Sequence, residues 1–250
     1  MESSHMQRSQ GETRAVLLLL KYLLSLVAWR QLCLPLVSSL SRQSTNASRE
    51  VRHSAISQLQ RLLLGPYMIY DETDHNQVDE IFNRVIFPLL DELLKQPVFL
   101  RDPKGMSETR LRASALLCKA FMHFEVHDNR PEVDIRLLWI QVLDLLDRLM
   151  NIDKKDQLVS APFNFGNVPL IFGKYEAVPE SLKNVVLVMN AAEILVPPSA
   201  DDHRNERQRT LWSATQERMD RFLPGFLAEV ISIPPMPTPQ EPPTPAVPTS

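Results

Sequence analysis

A repeated helical pattern is the feature of this sequence that most limits its fold. In Ser48 to Leu64 (SREVRHSAISQLQRLLL), the apolar residues recur at the three- and four-residue spacing of a helix with one buried face. The apolar stripe consists of Val51, Ala55, Leu59, Leu62 and Leu63. The polar residues that lie off the stripe are Arg49, Arg52, Gln58 and Arg61. Ser48 is a suitable N-cap, and Gly65-Pro66 predicts the end of the helix.

A second copy of this pattern follows 58 residues later, in the sequence SETRLRASALLCKAF. The positions shared by the two copies are, in order, Glu50 and Glu108, Arg52 and Arg110, Ala55 and Ala113, and Leu59 and Leu117. The small alanine in each stripe indicates a close approach of another helix. Because one such helix cannot bury its apolar face alone, the copies predict a stack of helices.

An apolar helix containing a proline precedes each copy. The first is predicted over 30–41 with Pro35 inside it, and the second over 77–95 with Pro88 inside it. Proline lacks a backbone N–H, so each of these helices should be kinked. The repeating unit is therefore a pair of helices, the first kinked and the second patterned.

The rest of the sequence predicts further apolar or amphipathic helices. They cover 12–29, 133–150, 180–196 and 204–231, the last with a kink at Leu223-Pro224, and the stretch 151–179 is predicted to be irregular. Because Pro234-Pro235 follows so soon, the last pair should lack a complete second member. The predicted fold is all-α, a HEAT/armadillo-like α-solenoid of about four helix pairs with the last pair incomplete.

The ends of the chain differ in composition from the part between them. The leader 1–6 (MESSHM) is interpreted as a tag remnant, and 7–231 as the helical-repeat domain. Eight of the 20 prolines fall in 232–250, so this tail is predicted to be disordered.

Composition excludes several classes of function. The formal net charge of -3 gives no basic field for nucleic acid, and the two cysteines fit a reducing compartment. The apolar run Ala15 to Trp29 is shorter than the roughly 20 residues needed to span a bilayer. No phosphate loop, dinucleotide fingerprint or protease motif is present, so no catalytic residue, cofactor or enzyme activity is assigned. His123 and His127 lie four apart, but the sequence offers no third ligand, so no metal site is assigned.

Five blocks of the sequence resemble the large Golgi guanine-nucleotide exchange factors for Arf GTPases, the brefeldin-A-resistance-factor class. They occur in the family's order and are REVRHSAISQLQRLLL, FNRVIFPLLDELL, GMSETRLRAS, LWIQVLDLLDRLM and PESLKNVVLVMNAAEIL. The resemblance covers about 29–231 and implies the last homology region downstream of the exchange domain. That domain and its catalytic glutamate have no counterpart here, so the resemblance implies a non-catalytic region of a larger exchange factor.

The resemblance also carries expectations about partners and location. The expected partners are other domains of the same exchange factor, Golgi membrane proteins or lipids, and a second copy in a homodimer; no nucleic acid is expected. The expected location is cytoplasmic and peripheral on Golgi membranes. A generic α-solenoid scaffold for partner helices, unrelated to GTPases, is the alternative. The sequence departs from the family by interposing 161–175, which is either a lineage-specific loop or a translated intron.

Three sets of residues are candidates for contact with a partner. Arg110 and Arg112 suit an anionic partner or, by the favoured interpretation, a carboxylate in a neighbouring repeat. Arg204 and Arg207 open an arginine-rich last helix, although acidic residues dilute its charge. The aliphatic first helix, which contains Leu18 and Leu19, is expected to form an apolar end of the stack. The other end of the stack should also leave apolar surface uncovered.

Overall fold

The computed structural model describes residues 27–65, 75–126, 135–160, 172–199 and 202–231, and these ranges contain helices and connecting turns but no strand. The helices are α1 (Leu34–Gln43), α2 (Arg49–Leu63), α3 (His75–Ile81), α4 (Phe87–Leu94), α5 (Gln96–Phe99), α6 (Pro103–Phe121), α7 (Ile135–Ser160), α8 (Phe172–Ala191), α9 (Glu206–Phe222) and α10 (Phe226–Val230). Wider π-helical turns occupy Trp29–Cys33 before α1, Phe82–Ile86 between α3 and α4, and Met122–Val126 after α6.

The helices form two layers. The first layer stacks α1, the continuous α3–α4 segment, α7 and α9 in that order, and the second stacks α2, α6, α8 and α10. Each first-layer helix is followed in the chain by its second-layer helix, and the short α5 connects the layers in the second pair. The predicted all-α solenoid of four pairs is therefore confirmed, and the last pair is incomplete because α10 has only five residues.

The two predicted proline kinks take the form of π-helical turns. The N–H of Leu34, just before Pro35, bonds to the carbonyl of Trp29, five residues back. Phe87, just before Pro88, bonds in the same way to Phe82. Because proline cannot donate a hydrogen bond, widening the preceding turn keeps the neighbouring N–H satisfied without breaking the helix.

Two tryptophans link neighbouring helix pairs through their indole N–H groups, the first pair to the second and the third pair to the fourth. Trp29 donates to Glu80 Oε2 at 2.8 Å, and Trp139 donates to Thr215 Oγ1 at 2.9 Å. Both tryptophans are fully buried, and Trp212 is also buried. A buried indole is stabilising only when its N–H has an acceptor, and here the acceptor comes from the adjacent pair.

The structure corrects two helix predictions. The residues 151–160 and 172–179, predicted to be irregular, are helical: α7 continues to Ser160, and α8 begins at Phe172 and contains Pro179. The proposed insert 161–175 thus has helical backbone at its end, while 161–171 lie outside the described residues. Four fully buried residues of α8 supply packing that offsets the hydrogen bond lost at the proline: Leu182, Val185, Val186 and Met189.

The predicted single kinked helix over 204–231 is instead two helices. Helix α9 ends at Phe222, and Gly225 adopts the left-handed conformation with φ of 76° before α10 begins. Glycine adopts this conformation without a steric penalty, which allows the chain to reverse direction after Pro224. The predictions for the tag remnant 1–6, most of the first helix and the tail 232–250 concern residues outside the described part of the chain.

Candidate interaction surfaces

A buried polar cluster joins the first two helix pairs. Arg52, assigned to the exposed side of its helix by the sequence, is in fact 0% exposed. Its Nη1 donates to the carbonyls of Asn46 and Ala47 at 2.8 Å each, and its Nε donates to Thr109 Oγ1 at 3.1 Å. Its Nη2 donates to Asp102 Oδ2 at 2.5 Å. A buried guanidinium is tolerated because all three nitrogens have acceptors.

Asp102 anchors the other side of this cluster. It is the N-cap of α6 and accepts a hydrogen bond from the Gly105 N–H at 3.1 Å. Its carboxylate also accepts from Arg49 Nη2 at 3.2 Å. Burial works against ionisation, but the hydrogen bonds from Arg49 and Arg52 outweigh it and lower the pKa of Asp102 to about 2. We call Arg49, Arg52, Asp102, Gly105 and Thr109 the junction cluster.

The lowered pKa of Asp102 predicts a loss of stability in acid. A carboxylate with a lower pKa in the folded state stabilises the fold above its unfolded pKa of about 4, and this contribution disappears as pH falls towards 2. We expect Asp102→Asn to be less stable than wild type at neutral pH by about 1–2 kcal/mol. The difference should vanish between about pH 4 and 2 in urea unfolding curves. A difference that stays constant down to pH 2, or an equal effect of Asp79→Asn on exposed α3 surface, would contradict this assignment.

Arg110 occupies the position in the second pair that Arg52 occupies in the first. It is buried, its Nε donates to the Leu93 carbonyl at 2.9 Å, and its guanidinium carbon lies 4.3 Å from the centre of the Phe99 ring. Arg52 thus binds carbonyls of the loop between α1 and α2, and Arg110 binds a carbonyl in the last turn of α4. The repeated arginine is a packing residue in both copies.

Arg112 is exposed and bonds within its own helix, to Glu108 Oε1 at 3.0 Å. This hydrogen bond lowers the pKa of Glu108, whose other oxygen lies 3.5 Å from His53 Nε2 on α2. An ion pair between the first two repeats is made by Arg49 and Arg52 with Asp102. Its acceptor lies in the short loop before α6, which periodicity alone does not connect with α2.

Carboxylates accompany most of the arginines near α9. Arg204 Nε and Arg209 Nε donate to opposite oxygens of Asp202 at 2.7 and 3.1 Å, and the hydrogen bonds from Arg204 hold the pKa of that carboxyl below its usual range. Arg218 pairs with Asp144 on α7, and Arg221 pairs with Glu217. Arg207 lies on the exposed surface. This segment therefore presents mixed charge, whereas binding to anionic lipid requires a predominantly basic face.

Exposed apolar side chains concentrate at the first helix pair. The predicted contact residues Leu18 and Leu19 lie outside the described residues. Of the seven large hydrophobic residues exposed in the described ranges, four belong to this pair: Val27, Leu32, Leu36 and Val51. The sequence assigned Val51 to the buried stripe, but it is 39% exposed. Sequence reasoning did not identify Leu32 or Leu36 as surface residues. We call Leu32, Leu36 and Val51 the first-pair face.

The opposite end of the stack is polar. Among the exposed positions of α9 are Ser213, Gln216, Glu217, Asp220 and Arg221. The sequence predicted that both ends would leave apolar surface for a neighbour, and in the described part of the last pair the large hydrophobic side chains are buried or partly buried.

Within the described ranges no group of three His, Cys, Asp or Glu side chains is arranged to hold a metal ion. His123 packs edge-on to Phe124, and His127 lies outside those ranges. Burial raises the pKa of the Cys118 thiol to about 12, as expected for a core cysteine. The same described ranges contain no helix that is long and apolar enough to cross a bilayer.

Comparison with known proteins identifies a family and several relatives. The family described as "GBF1-like, tetratrico peptide repeat region" matches residues 33–226. The Golgi-specific brefeldin A-resistance guanine nucleotide exchange factor 1 homolog of Caenorhabditis elegans is 30% identical over 85% of this chain. The ARF guanine-nucleotide exchange factors GNL1 and GNOM of Arabidopsis thaliana are each 27% identical, over 91% and 80% of it.

The chain spans only 9% of the length of the worm relative, and 14% and 12% of the lengths of the two plant relatives. No solved structure matches the chain. The matched copies of the pattern here are 58 residues apart, longer than the 34 residues of a standard tetratricopeptide unit.

Proposed function

The chain belongs to the GBF1-like tetratricopeptide repeat region family, and from that membership we propose that it is a non-catalytic region of an Arf guanine-nucleotide exchange factor acting in Golgi vesicle transport. The observation that carries this proposal is the family match across 33–226, from the first described helix pair into the last. The relatives named as exchange factors are far longer, so the region would serve a larger protein.

The described structure suits a role in placing or regulating the exchange domain. The junction cluster and the tryptophan hydrogen bonds fix the first pair against the second and the third against the fourth, so the stack can hold its neighbours at a set distance and angle. We propose as its partners other domains of the same exchange factor, and Golgi membrane proteins or lipids. A cytoplasmic, peripheral location on Golgi membranes accompanies this role.

A nucleotide-exchange assay tests the non-catalytic part of the proposal. We expect the isolated chain, added to an Arf GTPase loaded with a fluorescent nucleotide, to leave the rate of nucleotide release at its spontaneous value. An active exchange domain from a relative, added to the same preparation, serves as the positive control. Any acceleration by this chain that rises with its concentration would overturn the assignment.

The placing role needs a separate measurement. In a complete exchange factor of this family, removal of the region matching 33–226 should reduce Golgi association in cells while the exchange rate in solution stays unchanged. Unchanged Golgi association, or an equal loss of exchange in solution, would contradict a placing role.

A further inference from the structure

The connection between the two layers is longer in the second helix pair than in the first. Helices α1 and α2 are joined by residues 44–48, which carry no charged side chain, whereas α4 and α6 are joined by 95–102, which contain α5. We call 95–104, which adds the first two residues of α6, the α5 loop. The short neutral connection is sufficient to join the layers in the first pair, so joining the layers does not explain the composition of the α5 loop.

The α5 loop is held in place by its own buried residues. Val98 and Phe99 are only 3% and 6% exposed, and the Phe99 ring lies 4.3 Å from the guanidinium carbon of Arg110. The Leu100 N–H donates to the Gln96 carbonyl at 3.0 Å, which closes the turn of α5. The loop then enters the junction cluster, so both of its ends are fixed to the core. Its exposed side chains are therefore presented in a set arrangement, which lowers the entropic cost of binding a partner.

The exposed part of the α5 loop combines one apolar side chain with positive charge. Leu100 is 60% exposed, and Arg101 and Lys104 are exposed close to it in sequence. Among the described residues, no carboxylate forms an ion pair with either cation. The loop contains three basic residues against one acidic residue, Asp102, whose carboxylate is already engaged in the junction cluster. This surface is therefore positive, although the full chain has a formal net charge of -3.

A partner that fits this surface must supply both carboxylates and an apolar side chain. An anionic membrane is the weaker match, because lipid-binding segments typically carry about four to eight basic residues and a larger apolar face. A short acidic segment of a protein matches in size, since one large apolar side chain and a few charge pairs are enough to anchor a peptide. We propose that the α5 loop docks an acidic segment of a partner protein, with an apolar side chain of that segment against Leu100 and carboxylates against Arg101 and Lys104.

Selection from a library of random short peptides tests this proposal. The immobilised bait is the full chain, and the triple variant Leu100→Ser/Arg101→Glu/Lys104→Glu removes peptides that bind elsewhere. We expect the enriched peptides to carry aspartate or glutamate on both sides of a large apolar residue. Selection that enriches no peptide, or that enriches peptides without carboxylates, would overturn the proposal.

Fluorescence anisotropy with the most enriched peptide, labelled with fluorescein, separates the apolar from the charged part of the contact. We expect Leu100→Ser and Arg101→Glu/Lys104→Glu each to weaken binding at least about 10-fold. A second peptide, in which lysine replaces each carboxylate residue, should bind the charge-reversed variant more tightly than it binds wild type. A charge-reversed variant that still prefers the acidic peptide would contradict the proposed pairing.

Two matched controls make this result specific to the α5 loop. Leu137→Ser removes a leucine that is 66% exposed on α7. Arg30→Glu/Arg61→Glu makes the same change in net charge at the end of the first pair that lies away from the loop. Both controls should leave the peptide affinity within about 2-fold of wild type. If they weaken binding as much as the loop variants do, the peptide does not bind at the α5 loop.

Vesicle flotation distinguishes the acidic segment from a membrane. Vesicles of phosphatidylcholine with and without phosphatidylserine are mixed with wild type and with Leu100→Ser. Flotation that requires phosphatidylserine and is lost in Leu100→Ser, without any selected peptide, would replace the proposed segment with a lipid surface. Circular-dichroism melts should match wild type for every variant, because the substituted side chains are exposed and lie outside the junction cluster. The exchange assay above does not involve this loop, so the two proposals can fail separately.

Discussion

We expect Arg52→Ala to lower the free energy of unfolding by about 3–5 kcal/mol, which is typical when one partner of a buried ion pair is removed. The substitution leaves the carbonyls of Asn46 and Ala47 and the hydroxyl of Thr109 without the donor that now binds them. It also leaves Asp102 with Arg49 as its remaining arginine donor. Because these groups belong to both pairs, the loss should separate the first pair from the second. Urea unfolding followed by circular dichroism measures the change.

Two further variants make this result specific to the cluster. Arg61→Ala, exposed on the same helix, should change the unfolding free energy by less than about 0.5 kcal/mol. Arg52→Lys should recover little stability, because one ammonium group cannot reach the acceptors that the planar guanidinium serves. If Arg52→Ala unfolds within about 1 kcal/mol of wild type, the junction cluster contributes little to stability and our account of it is wrong.

We expect Gly105→Ala to destabilise the fold by about 1–3 kcal/mol, although alanine normally stabilises a helix relative to glycine. A Cβ atom at Gly105 would lie 2.0 Å from Asp102 Oδ2, 2.5 Å from Arg49 Nε and 2.6 Å from Arg52 Nη2. Arg49 is partly exposed and can move, but Asp102 and the buried Arg52 are held by several hydrogen bonds. The added methyl group must therefore break contacts within the cluster.

Thermal and urea unfolding of Gly105→Ala and Lys104→Ala give the comparison. Lys104 is the exposed neighbour on the same turn, so its substitution tests the helix while sparing the cluster. An unchanged or higher stability for Gly105→Ala would mean that the cluster readily rearranges, and it would also weaken the account of Arg52 given above.

The junction cluster would bear on the proposed function, because it joins the first helix pair to the second. If the region holds an exchange domain relative to a membrane or a partner, a weakened junction should impair placement before it impairs folding. In a complete exchange factor, Golgi association in cells is therefore the more sensitive readout for Arg52→Ala. The same substitution should leave exchange in solution unchanged.

The sequence alone was sufficient to predict the helix pairs and the family resemblance. Helical periodicity is a local property, so the stripe containing Ala55 and Leu59 and its copy at Ala113 and Leu117 predicted two buried helix faces, and all four residues are buried. The prolines were equally informative, because the backbone N–H that a proline lacks alters the helix that contains it, whatever that helix packs against. Pro179 was misleading, since packing of the buried residues of α8 outweighs the local cost of a proline.

Only the tertiary structure decided which polar residues are buried and which apolar residues are exposed. Arg52 looked like a surface residue because its acceptors in the second pair, Asp102 and Thr109, are 50 and 57 residues away in sequence. Val51 looked like a core residue because the same position is buried in the second copy, where a preceding pair covers it. Periodicity reports the side of a helix on which a residue lies, whereas burial depends on what packs against that side. That neighbour is present at the internal junctions of the stack, such as the one between the first two pairs, where Thr109 is buried against Arg52.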